Sequence, residues 1–249
     1  MASRSAAVTL KRSATSVFAY AVVGAFTLFA LFPVFWMIST SFKSRWDAFR
    51  LPPTWINFTP TLEHYVAVLS GEGWASTPMP KLLLNSVIVA GSSSVLALFA
   101  GSLAAYGLSR FPTGYGKHLA MWILSTRMFP PVAVAIPVFL MVSRLGLIDS
   151  YWALIIPYAA FNISFVVWMM RSFFDQIPIE LEEAAMIDGA SRLGAFFRII
   201  LPLTLPGLIA TGVFVLILSW NEFLFALLLT RTEAKTAPVA ASDFVTLYG

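Results

Sequence analysis

Long apolar runs alternate with short polar islands along this chain, and the lengths of the runs set the elements. A helix that crosses about 30 Å of hydrocarbon needs roughly 20 mainly apolar residues. Five segments meet that length, at about residues 16–42, 82–109, 118–143, 151–170 and 205–229. The third contains Pro130-Pro131, where a bend is expected because proline removes a backbone donor and crowds the preceding turn. Between the fourth and fifth runs lies the longest polar island, residues 171–201, in which Pro178 and a cluster of glutamates predict a helix start. Gly189 then marks a turn, and a second short helix is expected over about 191–200.

Composition agrees with a membrane class. Hydrophobic residues make up 59% and charged residues 11% of the 249, and the mean hydropathy is +0.82, far from a soluble domain. The expected fold is an all-α polytopic membrane protein with five transmembrane helices, forming a single transmembrane domain over 1–249. The formal charge of +4 reads as flanking charge that anchors membrane helices, and no nucleic-acid partner is expected. With no cysteine and two histidines, a metal site has little to draw on, and none is expected.

Arg4, Lys11 and Arg12 precede the first run with no acid beside them, and that run is too long for a cleaved signal peptide. It reads as a retained anchor with its N-terminus in the cytoplasm. Counting spans then places 43–81 outside and both 110–117 and 171–201 inside. Lysine and arginine are nearly balanced across the two sides, so the N-terminal cluster decides the orientation. The external segment carries several prolines, one short helix near 62–69, and Trp46, Trp55 and Trp74 at interfacial depth.

The island 171–201 has two readings. It can lie on the membrane as an interfacial loop, or it can dock another protein. Its first helix is acidic, through Glu180, Glu182 and Glu183, which disfavours attraction to anionic lipid. Within the spans, Asn85, Arg127, Asn162, Asn221 and Glu222 are polar groups that are unfavourable in lipid without partners. Asn162 beside Phe161, and Asn221 between Trp220 and Phe223, combine a hydrogen-bonding side chain with aromatic faces. Pairing between helices is the structural alternative. Arg127 and Glu222 differ in expected depth by about 12 Å at 1.5 Å rise per residue, which argues against an ion pair unless the proline bend moves Arg127. Gly101 and Ala105 form a small-residue seam for packing.

The chain has no G-x-x-x-x-G-K-[ST] sequence, since Gly116-Lys117 is followed by His118, and no G-x-S-x-G or H-E-x-x-H. It is expected to be neither an ATPase nor another enzyme.

Glu183-Ala184-Ala185, Asp188-Gly189-Ala190 and Ile200-Leu201-Pro202, with Pro178, Phe197, Pro206 and Gly207 around them, resemble the EAA loop of membrane subunits of binding-protein-dependent ABC importers. Tyr106 before Arg110-Phe111, Pro137 with Leu145-Gly146-Leu147, and Trp220-Asn221-Glu222-Phe223 place the resemblance in the carbohydrate-uptake branch related to maltose permeases. It implies a coupling loop over 171–201, with Glu183, Ala184, Ala185, Asp188 and Gly189 meeting a separate ATPase. It implies a substrate pathway, assigned here to Asn162, Asn221, Glu222, Trp220 and Arg127. The implied partners are a second permease subunit, two ATP-binding cassette ATPases that bind ATP and Mg, an extracytoplasmic substrate-binding protein and a carbohydrate. The implied place is a bacterial or archaeal cytoplasmic membrane. An ion-driven secondary transporter is the alternative, and the coupling loop counts against it. The family has six spans, whereas residues 237–249 are roughly 13 and too short to cross, so a missing sixth span is expected.

Overall fold

The structure, a computed structural model, describes residues 2–71, 77–111 and 114–248, and every regular element among them is helical. The chain divides into two compact units, residues 1–72 and 73–249.

The first unit begins with α1 (Ala2–Ser41). Its stretch Ser16–Ser41 is long and apolar enough to cross a membrane. Phe18, Phe26 and Phe29 on it are exposed, as expected of a helix whose apolar surface is made for lipid. The connection that follows closes on Lys43. Its ammonium donates to the Thr54 carbonyl at 2.6 Å and lies 4.2 Å from the ring centroid of Trp36 and 5.3 Å from that of Phe58. A backbone oxygen and two aromatic faces thus replace the water lost on burial. α2 (Arg45–Ala48) is capped by Ser44, and α3 (Glu63–Ser70) occupies the place of the expected short helix. Trp46 is highly exposed, Trp55 packs edge-on against Trp36, and Trp74 lies outside the described residues.

The second unit is built on α4 (Met79–Arg110) and α7 (Tyr151–Phe174). Ser93, Ala97, Gly101 and Ala105 are all buried on α4. This stripe lets the two backbones approach closely, since a Cβ on Gly101 would meet the Val166 side chain at 2.6 Å. The expected third span is two helices, α5 (Gly116–Thr126) and α6 (Pro131–Arg144), bent by 84° at the prolines. The polar island forms α8 (Glu180–Ile187), α9 (Arg192–Ala195), a π-helical turn (Phe196–Ile200) and α10 (Leu201–Leu203). These last three join without a gap as the second helix expected there, over Arg192–Leu203.

The expected continuous fifth span requires correction. It breaks after α11 (Leu205–Trp220) and resumes as α12 (Leu224–Leu229). The break has a local cause: Glu222 accepts from the N–H of Phe225 at 3.0 Å and of Ala226 at 3.2 Å, so its carboxylate satisfies the start of a new helix. By length and hydropathy, three helices can span a membrane, or up to five if two bent pairs, His118–Thr126 with Pro131–Arg144 and Arg192–Leu203 with Leu205–Trp220, each count as one. α13 (Ala237–Tyr248) has 12 residues.

At the end of the unit that holds the start of α4 and α7, Asp149 acts as a staple. It has a positive φ of 62°, which aspartate tolerates better than most residues. Its carboxylate accepts from the backbone N–H groups of Arg231, Thr232, Glu233 and Ala234. Nearby, Asn85 donates to the carbonyls of Glu233 and Lys235 and accepts from the Tyr151 hydroxyl. Partial burial alone would raise the pKa of Asp149, but the four N–H donors outweigh it and bring the value down from 3.8 to about 2.

Two predictions follow from this packing. Gly101→Leu should lower the thermal midpoint of the detergent-solubilised protein, by about 1–3 kcal/mol of overpacking, whereas Gly91→Ala, with nothing within 4 Å of the added Cβ, should not lower it. Because the folded pKa of Asp149 is depressed, its contribution is present above the ordinary value of 3.8 and lost as pH falls toward about 2. Asp149→Asn should therefore cost about 1–2 kcal/mol at neutral pH after allowance for solvent screening, and should flatten the acid limb of a plot of thermal midpoint against pH.

Candidate functional site

Two sites occupy the second unit, one at the polar island and one among the helices. The first is organised by Glu182. In α8, Glu182 and Ala185 are three positions apart and share the buried face, while Glu183, Ala184, Asp188 and Gly189 are exposed. Glu182 is 2% exposed, so its charge needs partners. Both come from the last turns of α4. The Tyr106 hydroxyl donates to one carboxylate oxygen, and Arg110 Nε donates to the other at 3.1 Å. Arg110 Nη2 also donates to the Ile177 carbonyl at 2.8 Å, which holds the approach to α8.

An aromatic cluster seals this lock. The ring centroids of Tyr106 and Phe196 are 4.7 Å apart, and Phe174 lies 5.9 Å from Phe196, so α4, α7 and the π-helical turn meet around one buried point. Gly207, at the start of α11, packs against the face of Phe173, which a Cβ would meet at about 2.5 Å. Gly189 ends the helical run with a φ of 90°, a conformation that favours glycine. Of the five residues assigned to coupling, Ala185 packs inward and the other four face outward on one short helix and its turn.

The second site is a cavity of about 260 Å³ bounded by α5, α7, α11 and α12. Arg127, Asn162 and Glu222 all line it, with the rings of Phe129, Tyr158, Phe161 and Phe225. The bend after α5 and the break after α11 thus bring Arg127 and Glu222 to one chamber, despite their separation in a straight-helix reading. They do not form an ion pair within 4.0 Å. Glu222 instead accepts from the Tyr158 hydroxyl at 2.6 Å, besides its two backbone donors. Asn162 donates to Ser219 Oγ at 3.0 Å, and the Phe161 and Phe225 rings stack with centroids 5.1 Å apart. Trp220 and Asn221 are not among the lining residues. Asn221 is exposed, and its side chain turns back to donate to the Ile217 carbonyl at 2.8 Å.

Sequence reasoning did not single out Glu182 as the buried acid among three glutamates. Its spacing from Ala185, matched by Tyr106 and Arg110 four apart at the end of an apolar run, was the available signal. Nor did it find Tyr158, whose partner lies 64 residues away.

Residues 97–244 match the family described as binding-protein-dependent transport system inner membrane component. A trehalose/maltose transport system permease protein of Thermococcus litoralis is 37% identical over 231 residues, covering 92% of this chain and 81% of that protein. A sulfoquinovosyl glycerol transport system permease protein of Agrobacterium fabrum is 37% identical over 210 residues, covering 84% and 72%. Among solved structures, a bacterial ABC transporter involved in the import of the acidic polysaccharide alginate matches with a TM-score of 0.71 at 28% identity, covering 91% of this chain and 78% of that one.

Removing the charge of Glu182 should leave Arg110 buried without its counter-ion. Glu182→Gln is expected to destabilise the protein by about 3–5 kcal/mol and to open residues 178–200 to protease, while Glu183→Gln, on the exposed face, should stay within about 0.5 kcal/mol. Thermal unfolding with limited proteolysis on both variants checks the contrast.

Proposed function

Because the chain belongs to the family of binding-protein-dependent transport system inner membrane components, we propose that it forms half of the membrane path of an ATP-driven importer and passes a sugar, oligosaccharide or polyol inward. It is a multi-pass permease and a translocation component, like its relatives. The observation that carries the reading is the extent of the family match: residues 97–244 include both the Glu182 lock and every residue lining the cavity. The substrates in the names of its relatives, trehalose, maltose and a sulfoquinovosyl glycerol, point to carbohydrate. A chamber that pairs aromatic rings with Asn162, Ser219 and Arg127 suits the same class, since sugar rings offer apolar C–H faces and hydroxyl edges.

The remaining machinery lies in other chains. Two ATP-binding cassette ATPases bind ATP and Mg, and this chain holds no cofactor. A second permease subunit completes the path, and an extracytoplasmic substrate-binding protein delivers the sugar across a bacterial or archaeal cytoplasmic membrane. Glu183, Ala184, Asp188 and Gly189 present the docking face to the ATPase, with Ala185 packed behind it. The alanines keep that face low, Glu183 offers a charge-assisted contact, and Gly189 turns the chain away. Glu182 then passes displacement of this face to α4 through Arg110 and Tyr106.

In a complex purified with its partners, Glu183→Lys and Gly189→Val should each loosen ATPase association and reduce ATP-driven uptake at least about tenfold, with the permease still inserted. Copurification and vesicle uptake read the two effects. Normal uptake by the double variant would remove this face from the coupling path.

A further inference from the structure

The cavity holds a cation that the described chain leaves without a counter-ion. Arg127 caps α5, and its guanidinium carbon sits 4.9 Å from the Phe165 ring centroid. No carboxylate among the described residues comes within 4.0 Å of it. Glu222 is the acid on the same wall, and its oxygens are already engaged by the Tyr158 hydroxyl and the N–H groups of Phe225 and Ala226. Asn162 is tied to Ser219.

Arg127 is exposed while it lines the cavity, and the planar fork of a guanidinium matches a carboxylate or sulfonate. The Phe165 ring beneath the guanidinium offers it a cation–π contact and takes none of its N–H donors. The rings of Tyr158, Phe161 and Phe129 stand on the same chamber, where a sugar can lay an apolar face. Three donors already point at the Glu222 carboxylate, whereas no carboxylate among the described residues lies within 4.0 Å of the Arg127 guanidinium, which leaves Arg127 as the group of the chamber open to an anion.

We propose that this cavity takes a carbohydrate bearing an acidic group, a uronate or a sulfonate, with the acid bound by Arg127 and the ring against the aromatic wall. The inference rests on the carbohydrate-import reading and narrows it to anionic sugars.

The test uses the complete transporter without its binding protein, in nanodiscs, and measures equilibrium binding of radiolabelled digalacturonate and of its neutral counterpart, a galactose disaccharide. Wild type should bind the acidic sugar at least about tenfold more tightly, and added salt should reduce that preference. Arg127→Gln should abolish it, and Arg127→Lys should keep part of it. Equal binding of the two sugars, binding of neither, or a preference that survives Arg127→Gln overturns the inference. If Arg127→Gln instead loses its partner subunits, Arg127 is a subunit contact and the inference also falls; Arg127→Lys keeps the binding comparison measurable. Uptake separates the two readings: import of neutral sugars alone defeats only the acidic preference, whereas uptake of no carbohydrate by the full transporter defeats the import reading itself.

Discussion

A carboxylate buried to 2% exposure cannot stand alone, and the partners that Glu182 finds fix the relation between the polar island and the helices. Tyr106 and Arg110 lie one turn apart at the end of α4, so α8 is held to that helix by a neutral donor and a charged one at once. α4 is in turn packed against α7 along a seam of small residues where Gly101 leaves no room for a side chain. Each connection is short-range and geometrically narrow. The buried face of α8 is therefore tied to the helices through two side chains of α4. A buried pair of this kind is weak evidence for net stability, and its value here is in specifying one arrangement.

Two other carboxylates of the second unit, Asp149 and Glu222, also hold backbone donors in place. Asp149 gathers four backbone N–H groups from the segment after α12, and Glu222 gathers two from the start of α12 with a tyrosine hydroxyl. Glu222 satisfies donors that the start of α12 leaves open, and Asp149 satisfies the N–H groups of the irregular segment between α12 and α13, so each carboxylate makes a fixed joint. The chamber beside Glu222 is shaped by such a joint and by the 84° bend between α5 and α6. Its walls owe their form to interrupted helices, the one setting in which irregular backbone is tolerated at membrane depth.

The apolar runs were legible because their length alone separates a span from a soluble core helix, and Pro130-Pro131 announced its own bend. Gly189 was legible as a turn for the same local reason. The joints were not. Glu182 sits among three similar glutamates, and only the fold turns it inward beside Tyr106 and Arg110. Asn221 and Glu222 are neighbours in a polar tetrapeptide, yet one turns back to its own helix and the other lines the chamber. The break in the expected fifth span comes from a side chain competing for helix N–H groups, which hydropathy cannot register. Arg127 and Glu222 share a chamber because two interruptions add, a result that straight-helix depth arithmetic cannot reach.

The central claim is that the polar island and α4 move as one body. It can be tested by pulsed electron resonance between nitroxides at Ile187 on α8 and Phe99 on α4, whose side chains are 86% and 58% exposed and tolerate labels. In the assembled transporter, the distance distribution should be the same without nucleotide and with bound ATP. A shift of the Ile187–Phe99 distance by several ångströms between those states would contradict the claim and show that the buried lock opens during the cycle.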